Sequence, residues 1–66
     1  MHEVVVFGRT YEVSVSRTSR AVWEAVGDFD RVSVPAGVVC ETIRVTGQSE
    51  ATALKRWIDT ARYRGS

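Results

Sequence analysis

Cysteine, histidine, lysine and proline each occur once in this 66-residue sequence, and these scarcities exclude several classes of protein. Cys40 alone cannot form an intrachain disulfide, and one cysteine with one histidine cannot supply the four ligands of a structural zinc site. No apolar run approaches the roughly 18–20 residues that a membrane-spanning helix needs. The N-terminus has no basic segment followed by an apolar core, so we expect no signal peptide and a cytosolic location.

The small size of the chain bounds its organisation and its stability. Sixty-six residues predict a single domain over residues 1–66. A core of this size contributes only about 3–5 kcal/mol unless a disulfide, a metal or another subunit supports it. Since the first two are not available, we expect a homo-oligomer or a complex with a protein partner.

The charges nearly cancel, with nine basic and eight acidic side chains and a formal net charge of +1. This balance is not typical of a polyelectrolyte-binding protein. The basic set is nevertheless unusual, because eight of its members are arginine. The planar guanidinium group suits phosphate and carboxylate partners, but a coding bias toward arginine is the explanation that we favour for the count.

The segment that follows Gly47 has the pattern of an amphipathic helix. Ser49 can cap its first turn, Glu50 places a negative charge where the helix dipole favours it, and Gly65 can end it. Small and apolar residues recur at three- and four-residue steps, at Ala51, Ala53, Leu54, Trp57, Ile58 and Ala61. An isolated helix of this length is marginal in water, so we expect it to pack on a sheet.

The first sixteen residues predict a β-hairpin. A two-residue Gly8-Arg9 loop suits a type II′ turn, and it would place Phe7 opposite Thr10 and Val6 opposite Tyr11. One face of the hairpin would then be apolar, with Val4, Val6, Tyr11, Val13 and Val15. Val5 and Phe7 would lie on the other, polar face, where we consider them a candidate interface with a subunit or partner; ordinary surface apolarity is the alternative.

The middle of the chain leaves alternatives open. Residues 16–20 are polar and predict a turn, and residues 20–27 fit a strand or a short capped helix, of which we favour the strand. Residues 28–39 fit either a second hairpin about the turn signal Val34-Pro35-Ala36-Gly37 or a mobile loop. Ile43 and Val45 then alternate with polar residues, as in a half-buried strand. The fold class is therefore α+β, an antiparallel meander of three to five strands with one C-terminal helix on one face.

Few residues suggest catalysis, and we expect no enzyme and no cofactor. No glycine-rich phosphate loop is present. A catalytic histidine must be held by an orienting acid, and the chain terminus beside His2 is a poor place for that. Cys40 fits a small packing residue better than a nucleophile. Paired carboxylates can bind a divalent metal or transfer protons. The candidates for such a site are Glu24, Asp28, Asp30 and Glu41, for which ordinary turn residues are the alternative.

Among the candidate functional sites in the sequence, the set of basic residues has the strongest support. One lies on the first hairpin, two lie in the next predicted turn and the others lie on the helix. Such a set could follow the phosphates of a nucleic acid, and a solvated surface of mixed charge is the alternative. The candidate contacts are Arg9, Arg17, Arg20, Lys55, Arg56 and Arg62.

The segment Ile43-Arg44-Val45-Thr46-Gly47-Gln48-Ser49-Glu50-Ala51 carries a resemblance to known families. Its strand, glycine turn and Ser-x-Ala helix start resemble the last helix of HicB-type antitoxin domains. The segment is also similar in layout to the second half of double-stranded-RNA-binding domains. The first resemblance implies a β-β-β-α fold that neutralises a small toxin ribonuclease, and the second implies binding of RNA. Neither assigns a site residue to this chain.

Two functional hypotheses follow from the sequence. The leading one is a non-enzymatic interaction module that self-associates through the edge or the face of its sheet. The alternative is a nucleic-acid-binding module that uses the arginine-bearing turns and the basic side of the helix.

Overall fold

The computed structural model describes residues 1–33 and 37–65. These residues form a four-stranded antiparallel sheet in the order β1-β2-β3-β4, with one helix packed on it. The elements are β1 His2–Val6, β2 Arg9–Ser19, β3 Val22–Ser33, β4 Gly37–Gly47 and α1 Glu50–Gly65. The α+β meander with a C-terminal helix that the sequence predicts is confirmed.

The helix begins and ends where its capping residues indicate. The Ser49 hydroxyl oxygen accepts a hydrogen bond from the Thr52 amide at 3.1 Å, and the Ser49 carbonyl accepts one from the Ala53 amide at 2.9 Å. Ala53 and Trp57 are buried, whereas Ala51 is exposed. The buried side of the helix is therefore centred on Ala53, Trp57 and Ala61. It is rotated slightly from the predicted stripe, which includes Ala51.

The first hairpin has the predicted faces but not the predicted register. Val4 pairs with Tyr11 and Val6 pairs with Arg9, so the turn residues are Phe7 and Gly8 rather than Gly8 and Arg9. Both turn residues have positive φ, 51° and 76°, as a type I′ turn requires. The shift is two residues, and an even shift keeps every strand side chain on its face. Phe7 is the exception, because it leaves the strand.

The two middle strands are longer than the sequence pattern indicates. The predicted turn at residues 16–20 is wrong: β2 continues to Ser19 and β3 begins at Val22. A bulge between Arg17 and Ser19 accommodates the polar run. The preference for a strand over a helix at residues 20–27 is confirmed from Val22 onward.

Residues 28–39 belong largely to the second hairpin, not to a loop. β3 and β4 pair without a bulge from Trp23 opposite Gly47 to Ser33 opposite Gly37. The predicted turn at residues 34–36 lies outside the described residues. The sheet is built from long hairpins, and the molecule extends 43 Å in its longest dimension and 17 by 16 Å in the others.

Three aromatic rings fill the space between the helix and the sheet. The Trp57 side chain has no exposed surface, and its Nε1 donates a hydrogen bond to the Ile43 carbonyl at 3.1 Å. Its ring centroid lies 6.1 Å from that of Tyr11 and 6.3 Å from that of Phe29. Gly27 lies beneath it, where a Cβ would approach the Trp57 ring to 3.0 Å.

The helix covers one face of the sheet, which we call the covered face, and leaves the other, the bare face, without a second layer in the described part of the chain. Because strand side chains alternate, each strand contributes to both. On β3, Ala25, Gly27 and Phe29 lie on the covered face, whereas Asp28 and Asp30 lie on the bare face.

Candidate interaction surfaces

The charged side chains separate onto the two sides of the molecule. All of them lie in the described residues. The bare face carries five carboxylates and one cation: Glu3, Glu12, Glu24, Asp28, Asp30 and Arg44. The covered face and the helix, together the helix layer, carry seven cations and three carboxylates: Arg9, Arg17, Arg31, Lys55, Arg56, Arg62, Arg64, Glu41, Glu50 and Asp59. A nearly neutral chain therefore folds into a molecule with an acidic side and a basic side.

The six predicted nucleic-acid contacts do not form one compact patch. Arg9 and Arg17 lie eight residues apart on β2, which corresponds to about 26 Å of extended strand. Arg20 lies beyond β2, in its turn to β3. Lys55, Arg56 and Arg62 project from the helix. Five of the six nevertheless belong to the helix layer.

Several of these cations already have partners. Lys55 Nζ lies 3.6 Å from Asp59 Oδ2, and Arg56 donates to the Thr46 carbonyl at 2.9 Å. Arg17 folds back on its own turn and donates to the carbonyls of Ser19 and Arg20, at 3.2 and 2.7 Å. Exposed contacts of this kind stabilise little, so these groups can exchange their partners for a ligand.

The acidic candidates are divided between the two faces. Glu24, Asp28 and Asp30 lie along the bare face of β3, whereas Glu41 lies on the covered face, 3.6 Å from Arg31 and 3.8 Å from Arg64. Asp28 accepts a hydrogen bond from the Thr42 hydroxyl at 2.8 Å. Among the described residues, no group of three or more acidic, histidine or cysteine side chains could hold a metal ion.

Cys40 differs from the prediction, because it is exposed on the bare face rather than packed. Desolvation, a hydrogen bond with Asp30 and the negative charges of Asp30 and Asp28 all raise the pKa of its thiol. A smaller fraction of this thiol is therefore ionised at neutral pH than in an ordinary cysteine, and the thiolate is the reactive form. His2, the other side chain considered for catalysis, lies 3.1 Å from Glu50 Oε1.

The two residues of the predicted hairpin interface are separated. Val5 is 62% exposed on the bare face. Phe7 is equally exposed but lies in the β1–β2 turn, and its ring reaches the end of α1 beside Gly65. The predicted common face of Val5 and Phe7 is wrong, because the register shift moves Phe7 into the turn.

Strand β4 forms one edge of the sheet, and open clefts follow it where the helix lies beside this edge. The larger, about 540 Å³, lies between Arg44, Thr46 and Arg56, and a second of about 240 Å³ lies between Glu41, Thr60 and Arg64. Arg31, Arg44 and this edge are not among the sites predicted from the sequence. The apolar residues Trp23, Ala25 and Phe29, which share one face of an extended strand, with Glu24, Asp28 and Asp30 on the other, were the signal that could have revealed a long β3 and hence a long β4.

No helix in the described residues has the length and apolarity needed to cross a membrane. Comparison with models of known families, with curated proteins and with solved structures gives no match. The fold and surfaces therefore define only a class, a four-stranded α+β meander with oppositely charged sides. The resemblance of residues 43–51 to HicB-type antitoxins and double-stranded-RNA-binding domains stays a prediction.

Proposed function

We propose that this chain is a non-enzymatic interaction module that self-associates by pairing β4 with β4 of a second copy. The observation that carries the proposal is the position of β4: eleven residues at a sheet edge, paired with β3 in unbroken register on one side. An edge strand presents backbone donors and acceptors that no neighbouring strand uses. On β4 the helix already uses two carbonyls, that of Thr46 through Arg56 and that of Ile43 through Trp57. The cytosolic location predicted from the sequence belongs to the same proposal.

The composition of β4 favours pairing over protection. Edge strands are usually blunted by shortness, proline, lysine or a bulge. β4 is not short and has no proline, lysine or bulge, although it carries the charged residues Glu41 and Arg44. Its sequence GVVCETIRVTG is rich in β-branched residues. The opposite edge, β1, has five residues. β4 is therefore the edge at which an added strand would gain more backbone hydrogen bonds.

The charges of β4 select among symmetric pairings. Centred on Glu41, the pair would oppose two carboxylates, and centred on Arg44 it would oppose two guanidinium groups. Centred on Thr42, Arg44 would face Cys40 of the second copy, and Asp30 is the β3 neighbour of Cys40. The Cα atoms of Arg44 and that Asp30 would then be about 10 Å apart, a span that an arginine side chain covers. Centred on Ile43, Arg44 would face Thr42 of the second copy and could reach its β3 neighbour Asp28 in the same way. Charge therefore disfavours the Glu41 and Arg44 centres, and of the two remaining pairings we propose the one centred on Thr42.

The self-association is tested by sedimentation equilibrium over a wide range of protein concentration. We expect a monomer–dimer equilibrium that Val38→Lys weakens by ten-fold or more, because it adds a charge to an exposed edge position. Ser14→Lys is the matched control, since it adds the same charge to the bare face of central strand β2. A monomer at every concentration, or equal effects of both variants, would contradict the proposal.

The register is tested by disulfide trapping in a Cys40→Ser background. Thr42→Cys is expected to form an intermolecular disulfide readily, since opposed residues of antiparallel strands have Cα separations compatible with one. Thr46→Cys is the control, because it would face Val38 of the second copy. Faster trapping at position 46 than at position 42 would rule out the pairing centred on Thr42.

A second candidate function is binding of a nucleic-acid backbone by the helix layer. The observation that favours it is the separation of charge: the helix presents Lys55, Arg56 and Arg62 away from the acidic face. A ligand with many phosphates would approach the basic side and be repelled from the other. The double-stranded-RNA-binding resemblance is consistent with this candidate.

The test of this candidate is fluorescence anisotropy of labelled RNA and DNA duplexes at 50 and 200 mM salt. Neutralising several phosphates predicts an affinity loss of about ten-fold or more between these conditions. The double variant Lys55→Gln/Arg62→Gln should weaken binding and flatten the salt dependence, whereas Arg44→Gln on the bare face should not. Absence of binding at 50 mM salt would exclude this function.

A further inference from the structure

The turn between β1 and β2 contains a residue in an unfavourable backbone conformation. Phe7 has φ of 51°, a region that asparagine, aspartate and glycine occupy readily and bulky side chains avoid. Turns of this type usually carry Asn-Gly or Asp-Gly. Phe7 is 62% exposed, so burial of its ring gives only partial compensation. Strain retained at an exposed position suggests a role beyond folding.

The exposed Phe7 ring forms one wall of a cleft of about 220 Å³ at the end of α1. Tyr11 and Phe29 also line the cleft; both are buried, and their ring centroids lie 5.1 Å apart. The Tyr11 hydroxyl donates to the Asp30 carbonyl at 3.3 Å, which fixes that ring in place. The cleft therefore has a rigid aromatic base and an exposed aromatic wall.

Gly65 allows this arrangement. A Cβ at that position would lie 2.6 Å from Phe7 Cε2 and 3.1 Å from Phe29 Cζ. Any side chain there would push the Phe7 ring aside. Glycine at the end of the helix thus permits an aromatic ring to stand against the helix terminus with the cleft beside it.

Two guanidinium groups lie at the same cleft. Arg9 is exposed on β2, and Arg31 extends from β3 on the same face. Arg31 Nε is buried without a hydrogen bond, since Glu41 Oε2, at 3.6 Å, is too distant to accept one. The Asp30 carboxylate interacts with Cys40 on the bare face, so its charge is directed away from the cleft.

We propose that this cleft binds a nucleotide, with the base stacked on Phe7 and the phosphate bonded to Arg9 and Arg31. Aromatic side chains stack on any base, and arginine forks match phosphate oxygens. The cleft is smaller than the roughly 300–1,000 Å³ of pockets for drug-sized ligands, so it suits a single ring system. The nucleotide is either free or one unit of a single strand, and the site does not depend on the pairing of β4.

The experiment is a titration of the ¹⁵N-labelled protein, followed by NMR, with UMP, AMP and an eight-residue oligouridylate. Uridine, inorganic phosphate and benzoate serve as probes that carry only part of the chemistry. We expect amide shifts near residues 7–11 and 29–31 and nucleotide affinities at least ten-fold above those of uridine, phosphate and benzoate. Tighter binding of the oligonucleotide per site identifies a single strand as the source, and equal binding identifies a free nucleotide.

Variants separate stacking from phosphate binding and from folding. Phe7→Asn should keep the fold, because asparagine tolerates positive φ, and should weaken UMP binding by about five- to 150-fold. Arg9→Gln should also weaken it, whereas Arg44→Gln on the bare face should leave it unchanged. Absence of shifts at millimolar nucleotide, benzoate affinity equal to that of UMP, or unchanged binding by folded Phe7→Asn and Arg9→Gln would overturn the proposal.

Discussion

The two faces of one sheet have opposite characters in this molecule. The covered face holds the aromatic cluster of Tyr11, Phe29 and Trp57 beneath a helix, and its interior is apolar. The bare face presents five carboxylates, one arginine and scattered valines such as Val5. Because strand side chains alternate between the two faces, residues adjacent in the sequence lie on opposite faces. One packs in the core and the next contributes to the charged surface. We therefore expect substitutions on the covered face to lower the stability of the protein strongly. Charge substitutions on the bare face should change it only slightly.

The largest expected effect is the loss of the ring at the centre of the covered face. Trp57→Ala removes a fully buried side chain and its hydrogen bond to Ile43, and such truncations cost about 3–5 kcal/mol. This equals the whole stability expected of a domain of this size. We therefore expect the variant to be largely unfolded at 25 °C, as measured by circular dichroism and urea titration.

The second tryptophan is the matched control for this prediction. Trp23 also lies on the covered face but is only partly buried, at the edge of the core. Trp23→Ala should remain folded with a smaller loss. If the melting temperature of Trp57→Ala is within a few degrees of that of the natural protein, the covered face is not the main source of stability.

The next effect concerns the contact between helix and sheet at Gly27. A Cβ at this position would lie 2.9 Å from the Glu12 carbonyl oxygen and 3.0 Å from Trp57 Cζ2. Because neither backbone nor a locked ring can yield easily, Gly27→Ala should cost about 1–3 kcal/mol. The measurement is the free energy of unfolding in urea. Val26→Ala, at the neighbouring position on the bare face, should lower the free energy of unfolding by less. A larger loss for Val26→Ala than for Gly27→Ala would contradict the assignment of stability to the covered face.

Local rules predict the ends of the fold from sequence better than its middle. The helix follows from Ser49, Glu50 and Gly65, each of which acts within one turn of its own position. The register of the first hairpin does not, because Gly8 fits either type II′ as the first turn residue or type I′ as the second. The ring of Phe7 meets Gly65 only in the second arrangement, and that contact involves residues 58 positions apart.

The candidate surfaces cannot be predicted from local sequence patterns, because they depend on the length and order of all the strands. The separation of charge depends on the length of β3, since Asp28, Asp30 and Arg31 acquire defined faces only if the strand continues past Gly27. The sequence of residues 28–39 fits either a hairpin or a loop. The cleft beside Phe7 likewise combines β1, β2, β3 and the end of α1, and no local pattern joins these segments.

A smaller, stabilising effect is expected on the bare face, where Glu3 lies directly opposite Glu12. Like charges in opposed positions are unfavourable, so Glu12→Lys should raise the free energy of unfolding by about 0.2–1 kcal/mol, near the lower value because both positions are exposed. The gain should shrink in 1 M salt. The Glu3→Lys/Glu12→Lys double variant restores like charges and should lose the gain, which a double-mutant cycle measures.

The smallest expected effect tests whether the bare-face carboxylates act on their neighbours. The hydrogen bond and negative charge of Asp30 raise the pKa of the Cys40 thiol, so Asp30→Asn should lower that pKa and increase the thiolate fraction at pH 8. The rate of alkylation by iodoacetamide should rise, because the thiolate is the form that reacts. Asp59→Asn on the helix removes the same charge from the other side of the molecule and should leave the rate unchanged. A slower reaction in Asp30→Asn would mean that the carboxylate activates the thiol, and the bare face would then be chemically active rather than only charged.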